Sequence, residues 1–159
     1  MIAAARRTNG GGYTLIEMLV VLAILGILAA ASWPLAELNG QRVREQQLDR
    51  ALWQIRGALD QYKHLVDLGE IKAPTESGYP PDLAALANGI TGLKSGTTIF
   101  LLRRVPRDPF ADGALPADQT WGLRAYNSPG DKPEAGKDVY DVYSQSSGTG
   151  LNGVPLRQW

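Results

Sequence analysis

An unbroken apolar run from Met18 to Ala31 is the feature that most limits how this chain can fold. With its flanks, the stretch 13–33 has 21 residues, and its polar members are Thr14, Glu17 and Ser32. As a helix this stretch is about 31 Å long, which matches a bilayer core of about 30 Å. Arg6 and Arg7 precede it, which predicts a cytoplasmic N-terminus and an exported remainder.

A second helical pattern follows the apolar run. Apolar residues recur at spacings of three and four on one face, at Leu48, Leu52, Ile55, Leu59, Tyr62 and Val66. Pro34 lies between the two patterns, and we expect it to kink the helix because proline removes one helical hydrogen bond. Gly69 is a suitable stop. We predict one helix from about Tyr13 to about Leu68, with a transmembrane first half and an amphipathic second half.

The remaining residues, 70–159, are rich in turn signals and short patterns. Asp82 is suited to cap a short helix. The stretches 121–126 and 139–143 alternate as strands do. We therefore predict an α+β fold, in which the long N-terminal helix packs on a small C-terminal antiparallel β-sheet head.

Composition excludes several functional classes. The chain has 159 residues, with 16 basic and 16 acidic side chains, so no basic excess indicates nucleic-acid binding. It has no cysteine, which excludes disulfides and thiolate metal sites, and its single histidine cannot form a histidine cluster. No arrangement of a nucleophile with its base is recognisable, and we predict that the chain is not an enzyme.

Glu17 is the most informative single residue. A carboxylate within a membrane span costs about 2.5–3.5 kcal/mol, so it needs a partner or a role. If the chain is cleaved after Gly12, Glu17 becomes the fifth residue of the mature protein and lies one helical turn from the new N-terminal amine. The same amine on a neighbouring subunit can then pair with the carboxylate of Glu17. The alternative is that Glu17 lies near the interface and reaches water. The residues alone do not decide between these two.

The segment Gly12-Tyr13-Thr14-Leu15-Ile16-Glu17, followed by the apolar helix and Pro34, resembles the N-terminal signature of the type IV pilin-like superfamily. The resemblance implies cleavage between Gly12 and Tyr13 by a membrane prepilin peptidase, which also methylates the new amine of Tyr13. It further implies that Glu17 and Tyr13 are assembly residues and that Pro34 kinks the helix.

An ordinary signal peptide is the competing interpretation, with Ala29-Ala30-Ala31 as its cleavage site. An acidic residue and an apolar run of this length both count against it. If it held, the mature chain would be a secreted binding or enzymatic domain starting at Ser32.

The head resembles that of the major pseudopilins of type II secretion. The segments that carry this resemblance are the loop 102–110, the strand 121–126 and the run Tyr140-Asp141-Val142-Tyr143-Ser144. It implies a cytoplasmic leader (1–12), a transmembrane assembly helix (13–34) and a periplasmic head (35–159) on a single-pass inner-membrane protein. The implied partners are further copies in a helical filament, minor pseudopilins, prepilin peptidase, and an assembly platform with its ATPase. A minor pilin or a competence-filament subunit is the alternative within this class.

Major pseudopilins commonly bind calcium through aspartates in the C-terminal loop, but residues 144–155 of this chain contain no carboxylate. Calcium prefers several oxygen ligands whose charge comes from carboxylates. We therefore expect no cofactor, with the calcium site either lost or replaced by direct hydrogen bonds.

Overall fold

The structure, a computed structural model, describes residues 12–159, except for the side chains of residues 31–36. Its first and longest element is helix α1, Leu15–Asp67. Thr14 caps the start of α1, because its Oγ1 accepts a 3.3 Å hydrogen bond from the main-chain N–H of Glu17. The predicted long helix is confirmed, and it continues through position 34.

Helix α1 ends at Asp67, close to the stop predicted at Gly69. Gly69 has a φ of 64°, a left-handed conformation that glycine adopts without strain. The N–H of Gly69 donates to Val66 O at 2.9 Å, and the N–H of Glu70 donates to Leu65 O at 2.9 Å. This pair of bonds is the Schellman arrangement, which satisfies the last carbonyl groups of the helix.

The chain forms two compact units, one ending at Gly40 and the other spanning Gln41–Trp159. Among the residues that the structure describes, no helix contains a stretch long and apolar enough to cross a membrane. Part of the predicted span, residues 31–34, lies outside the described side chains.

The second unit is built on the apolar stripe of α1. Leu48, Leu52, Ile55, Leu59 and Tyr62 are all buried, as the spacing predicts. The other buried members of this core come from the rest of the chain and include Ile71, Leu83, Leu86, Trp121, Val139, Val142 and Leu156. Full burial of each large apolar side chain contributes about 1.5–3 kcal/mol, so this stripe is what holds the head on the helix.

Short elements follow α1. In helix α2, Ala85–Asn88, the N-cap residue is Ala84 and makes no side-chain cap bond, so the predicted cap at Asp82 is wrong. Asp82 Oδ1 instead accepts a 2.8 Å hydrogen bond from the N–H of Ala85 from outside the helix. Strands β1 (Ile90–Thr91) and β2 (Thr98–Ile99) then pair antiparallel as a hairpin.

The second strand pair lies further along the chain. Strands β3 (Trp121–Arg124) and β4 (Asp141–Ser144) pair antiparallel, with Trp121 opposite Ser144 and Arg124 opposite Asp141. The predicted antiparallel head is confirmed, but within residues 12–159 it consists of two separate two-stranded sheets. Single turns of 3₁₀-helix, Ala117–Thr120 and Leu156–Gln158, precede β3 and follow β4.

Candidate functional site

The start of α1 carries the residues that sequence reasoning singled out for processing and assembly. Tyr13 lies just before the helix and is 76% exposed, and Glu17 lies in the first turn with an exposed side chain. A carboxylate at a helix N-terminus is stabilised by the positive end of the helix dipole. The structure therefore presents Glu17 at an accessible helix end, one turn from Tyr13.

The first half of α1 exposes apolar side chains on every face. Between residues 15 and 28 the exposed ones are Leu15, Ile16, Met18, Leu19, Val20, Val21, Leu22, Ile24, Leu25, Ile27 and Leu28. A helix that is apolar all round is stable only when lipid or other helices cover it. Along residues 15–28, α1 is thus an apolar surface that the described part of the chain leaves exposed.

The roles of the remaining predicted residues stay predictions. Gly12 is described, and a Cβ added there meets no atom within 4 Å. The side chain of Pro34 lies outside the described residues, as do Arg6 and Arg7, so the predicted kink and the predicted leader stay predictions.

A buried carboxylate organises the head. Asp108 is 1% exposed, and its Oδ2 accepts a 2.6 Å hydrogen bond from Ser144 Oγ. Its Oδ1 accepts a 2.8 Å bond from the N–H of Phe110, while its own N–H donates to Thr120 Oγ1 at 3.1 Å. Because a buried charge is costly without such partners, Asp108 ties the loop before β3 to the end of β4.

The C-terminal loop is held by a residue that sequence reasoning missed. Glu45, on α1, is 8% exposed and its Oε1 accepts a 2.8 Å hydrogen bond from the N–H of Leu151. Gln41 Nε2 donates to the same Oε1 at 2.9 Å and to Thr149 O at 3.2 Å. The available signal was that Glu45 lies three residues before Leu48, at the edge of the apolar stripe.

The hydrogen bonds of this loop bear on calcium binding, and the expected loss of a calcium site stays a prediction. The carboxylate that meets the loop, Glu45, is already bonded to an N–H of the loop and to Gln41. Within the described part of the chain, no group of three or more acidic, histidine or cysteine side chains is placed to hold a metal ion. Calcium needs several oxygen ligands, usually including more than one carboxylate.

An arginine of α1 binds the last strand. Arg56 Nε donates to Asp141 Oδ1 at 2.8 Å, and Arg56 Nη2 donates to Val142 O at 3.1 Å and to Trp159 O at 2.8 Å. Asp141 Oδ2 lies 4.0 Å from Arg124 Nη1 on the opposite strand. Charge-assisted bonds of this kind fix geometry, so Arg56 sets the position of β4 on the helix.

Comparison with known proteins agrees with this description of the N-terminus. Residues 7–33 match the model of a family described as the prokaryotic N-terminal methylation motif. The matched range includes Gly12, Tyr13, Glu17 and the exposed apolar part of α1, residues 15–28. The chain is therefore of the class whose helical N-terminus carries a methylation motif.

Sequence identity to a known protein identifies the family within this class. The type II secretion system core protein G of Klebsiella pneumoniae is 30% identical over 99 residues, which cover 62% of this chain and 68% of the relative. This chain belongs to that family, the type II secretion pseudopilins of the core protein G type, and the predicted family is confirmed. No solved structure gives a significant match.

Proposed function

We propose that this chain, a structural subunit of the type II secretion pseudopilus, is processed at its N-terminus and assembled through helix α1. The observation that carries the proposal is the coincidence of two features. The methylation motif at residues 7–33 covers the part of α1 whose described apolar side chains are exposed on every face. A processed helix of this kind is suited to pack against copies of itself.

Before assembly, the apolar segment 13–34 anchors the subunit in the inner membrane. Its length and composition support this, and the pair Arg6-Arg7 ahead of it favours a cytoplasmic N-terminus. The head, residues 35–159, then lies in the periplasm. In the filament, the apolar surface of one subunit is covered by the same surface of its neighbours.

Processing creates the groups that set the stagger between subunits. Prepilin peptidase cleaves between Gly12 and Tyr13 and methylates the new amine of Tyr13. The exposed carboxylate of Glu17 binds the cationic amine of a neighbouring subunit. Inside an apolar bundle such a pair is strong because few other partners are available. An assembly platform with its ATPase adds each subunit, and minor pseudopilins join the same filament.

The mature N-terminus tests this proposal. Intact mass and N-terminal sequencing of the protein from its native membrane should show a chain that starts at N-methylated Tyr13. A start at Ser32, the product of signal peptidase, or an uncut Met1 contradicts the proposal.

The role of Glu17 has its own test. Glu17→Val should leave the subunit processed and stable in the membrane but unable to form filaments, as seen by electron microscopy. Glu17→Asp retains the charge and should assemble better than Glu17→Val. Normal filaments from Glu17→Val refute the pairing.

A further inference from the structure

Trp53 is a large apolar side chain that the head leaves uncovered. It lies on α1 next to the buried Leu52 but is itself 73% exposed. Asp49, one helical turn earlier and on the same face, is exposed as well. Among residues 12–159, Asp49 forms no ion pair. Trp53 and Asp49 together form an aromatic and acidic projection, termed here the Trp53 knob.

A basic cleft of about 800 Å³ includes Arg56, which follows Trp53 by three residues on α1. Four basic and two acidic side chains line it, so its formal charge is +2. The basic ones are Arg56, Arg124, Lys132 and Arg157. Tyr143 and Trp159 add aromatic surface to the same cleft.

The guanidinium groups of Arg56 and Arg124 are held in place by contacts within the chain, and Arg56 retains a nitrogen that makes no hydrogen bond in the described part of the chain. Arg56 uses Nε and Nη2 for its bonds to β4 and Trp159, and its Nη1 makes no hydrogen bond within the described part of the chain. Arg124 lies over the ring of Tyr140, 5.2 Å from the ring centroid. Positioned guanidinium groups attract both carboxylates and aromatic faces, which are the two groups that the Trp53 knob carries.

We propose that the Trp53 knob of one copy docks in the basic cleft of the next copy along the filament. The charge of Asp49 is opposite to that of the cleft, and the indole of Trp53 matches its arginines and aromatic side chains. Tryptophan and arginine are also the residues that contribute most at protein interfaces. The occupant is a second copy because one chain supplies both complementary surfaces, and this step rests on the proposed filament function.

Trp53 and Arg56 are three residues apart on α1 and are therefore neighbours on the helix surface. The knob and the cleft are nevertheless different surfaces, so each copy gives its knob to one neighbour and its cleft to another. Such a head-to-tail contact does not close on itself and can extend as a helix.

Cysteine cross-linking tests the contact. The chain has no cysteine of its own, so only the introduced cysteines of this protein can form a disulfide. Asp49→Cys and Lys132→Cys are made as separate full-length variants and co-expressed in the native host, and filaments are oxidised before electrophoresis. A disulfide-linked dimer is expected only when both variants are present. The matched control pairs Asp49→Cys with Lys72→Cys, an exposed lysine outside the cleft, and should not cross-link.

Substitution of the knob provides the second test. Trp53→Ala should lower the filament number about ten-fold, as the loss of an interface anchor does, while Trp53→Phe retains part of it. Because Trp53 is exposed, the level of subunit in the membrane should stay unchanged.

The outcomes separate this inference from the proposed function. Filaments that contain both cysteine variants but no disulfide between them overturn the docking of knob and cleft and leave the filament role intact. A disulfide to a different protein instead of a second copy also overturns it. If the unsubstituted protein forms no filaments in its native host, the proposed function itself fails.

Discussion

The hydroxyl of Ser144 donates a 2.6 Å hydrogen bond to the buried carboxylate of Asp108, across 36 positions of sequence. This bond joins the loop that precedes β3 to the last residue of β4. The Oγ atom of Ser144 also accepts a 3.1 Å bond from the N–H of Ser146. Two of the three segments that resemble the pseudopilin head, 102–110 and 140–144, are thus parts of one hydrogen-bond network.

Removal of the Ser144 hydroxyl should destabilise the head. Ser144→Ala leaves Asp108 Oδ2 and the N–H of Ser146 without this partner, and we expect the free energy of unfolding to fall by about 1–3 kcal/mol. Urea denaturation of the detergent-solubilised protein, followed by tryptophan fluorescence, measures the change. Ser147→Ala, at an exposed neighbouring position, is the control and should have no effect.

The C-terminal loop should depend on Glu45. Glu45→Ala removes the acceptor for the N–H of Leu151, so we expect faster hydrogen exchange in residues 149–155 and a loss of about 1–3 kcal/mol in stability. Gln46→Ala, at the exposed next position, should leave exchange in the loop unchanged. Equal protection of the loop in both variants would show that Glu45 does not hold it.

Because direct hydrogen bonds hold this loop, calcium should not stabilise the protein. Thermal melting of the full-length chain should give the same Tm with calcium at sub-millimolar concentration as with a chelator. A ligand that binds the folded state raises Tm, so a large upward shift would refute this prediction.

Two glycines should respond oppositely to alanine. A Cβ on Gly122 would overlap the ring of Tyr143 on the paired strand, so Gly122→Ala displaces that ring and should cost about 1–3 kcal/mol. Gly57, inside α1, has open space around its Cβ position, and Gly57→Ala should stabilise the protein by about 0.5–1 kcal/mol. Denaturation curves for the two variants test both signs.

Alkaline pH should weaken the fold through two tyrosines. Burial raises the pKa of Tyr79 above its ordinary value of 10.0, with smaller contributions from Tyr140, Asp60, Tyr126 and Asp67. Burial, and then Asp82, raises the pKa of Tyr62.

The direction of the effect follows from proton binding. A raised pKa in the folded state means that the unfolded chain releases these protons first, so the stabilisation is complete below pH 10 and declines above it. Tyr79→Phe should flatten the decline in Tm above pH 10. An equally steep decline in the variant would exclude a contribution from Tyr79.

Local patterns predicted the long helix and its end correctly. The spacing from Leu48 to Tyr62 identified the buried face of α1, and Gly69 marked its end. Each of these signals depends on residues within about one or two helical turns, which is the range over which backbone hydrogen bonds act in a helix.

The contacts of the head were not predictable in the same way. Nothing near Glu45 in sequence indicates Leu151, and nothing near Arg56 indicates Asp141. These pairs form between residues 106 and 85 positions apart. They exist because burial of the apolar stripe brings the C-terminal segments onto α1, and polar groups at its edge then require partners.

By itself, the sequence determined the long helix, its apolar first half, the methylation motif around Tyr13 and the family to which the chain belongs. These are properties of contiguous residues. Only the tertiary structure decided that Asp108 is buried and bonded to two segments, that Glu45 holds the C-terminal loop, and that Arg56 lines a basic cleft. Such features arise when the core brings distant segments together, because the energy of a hydrogen bond or charge pair depends on separation in space.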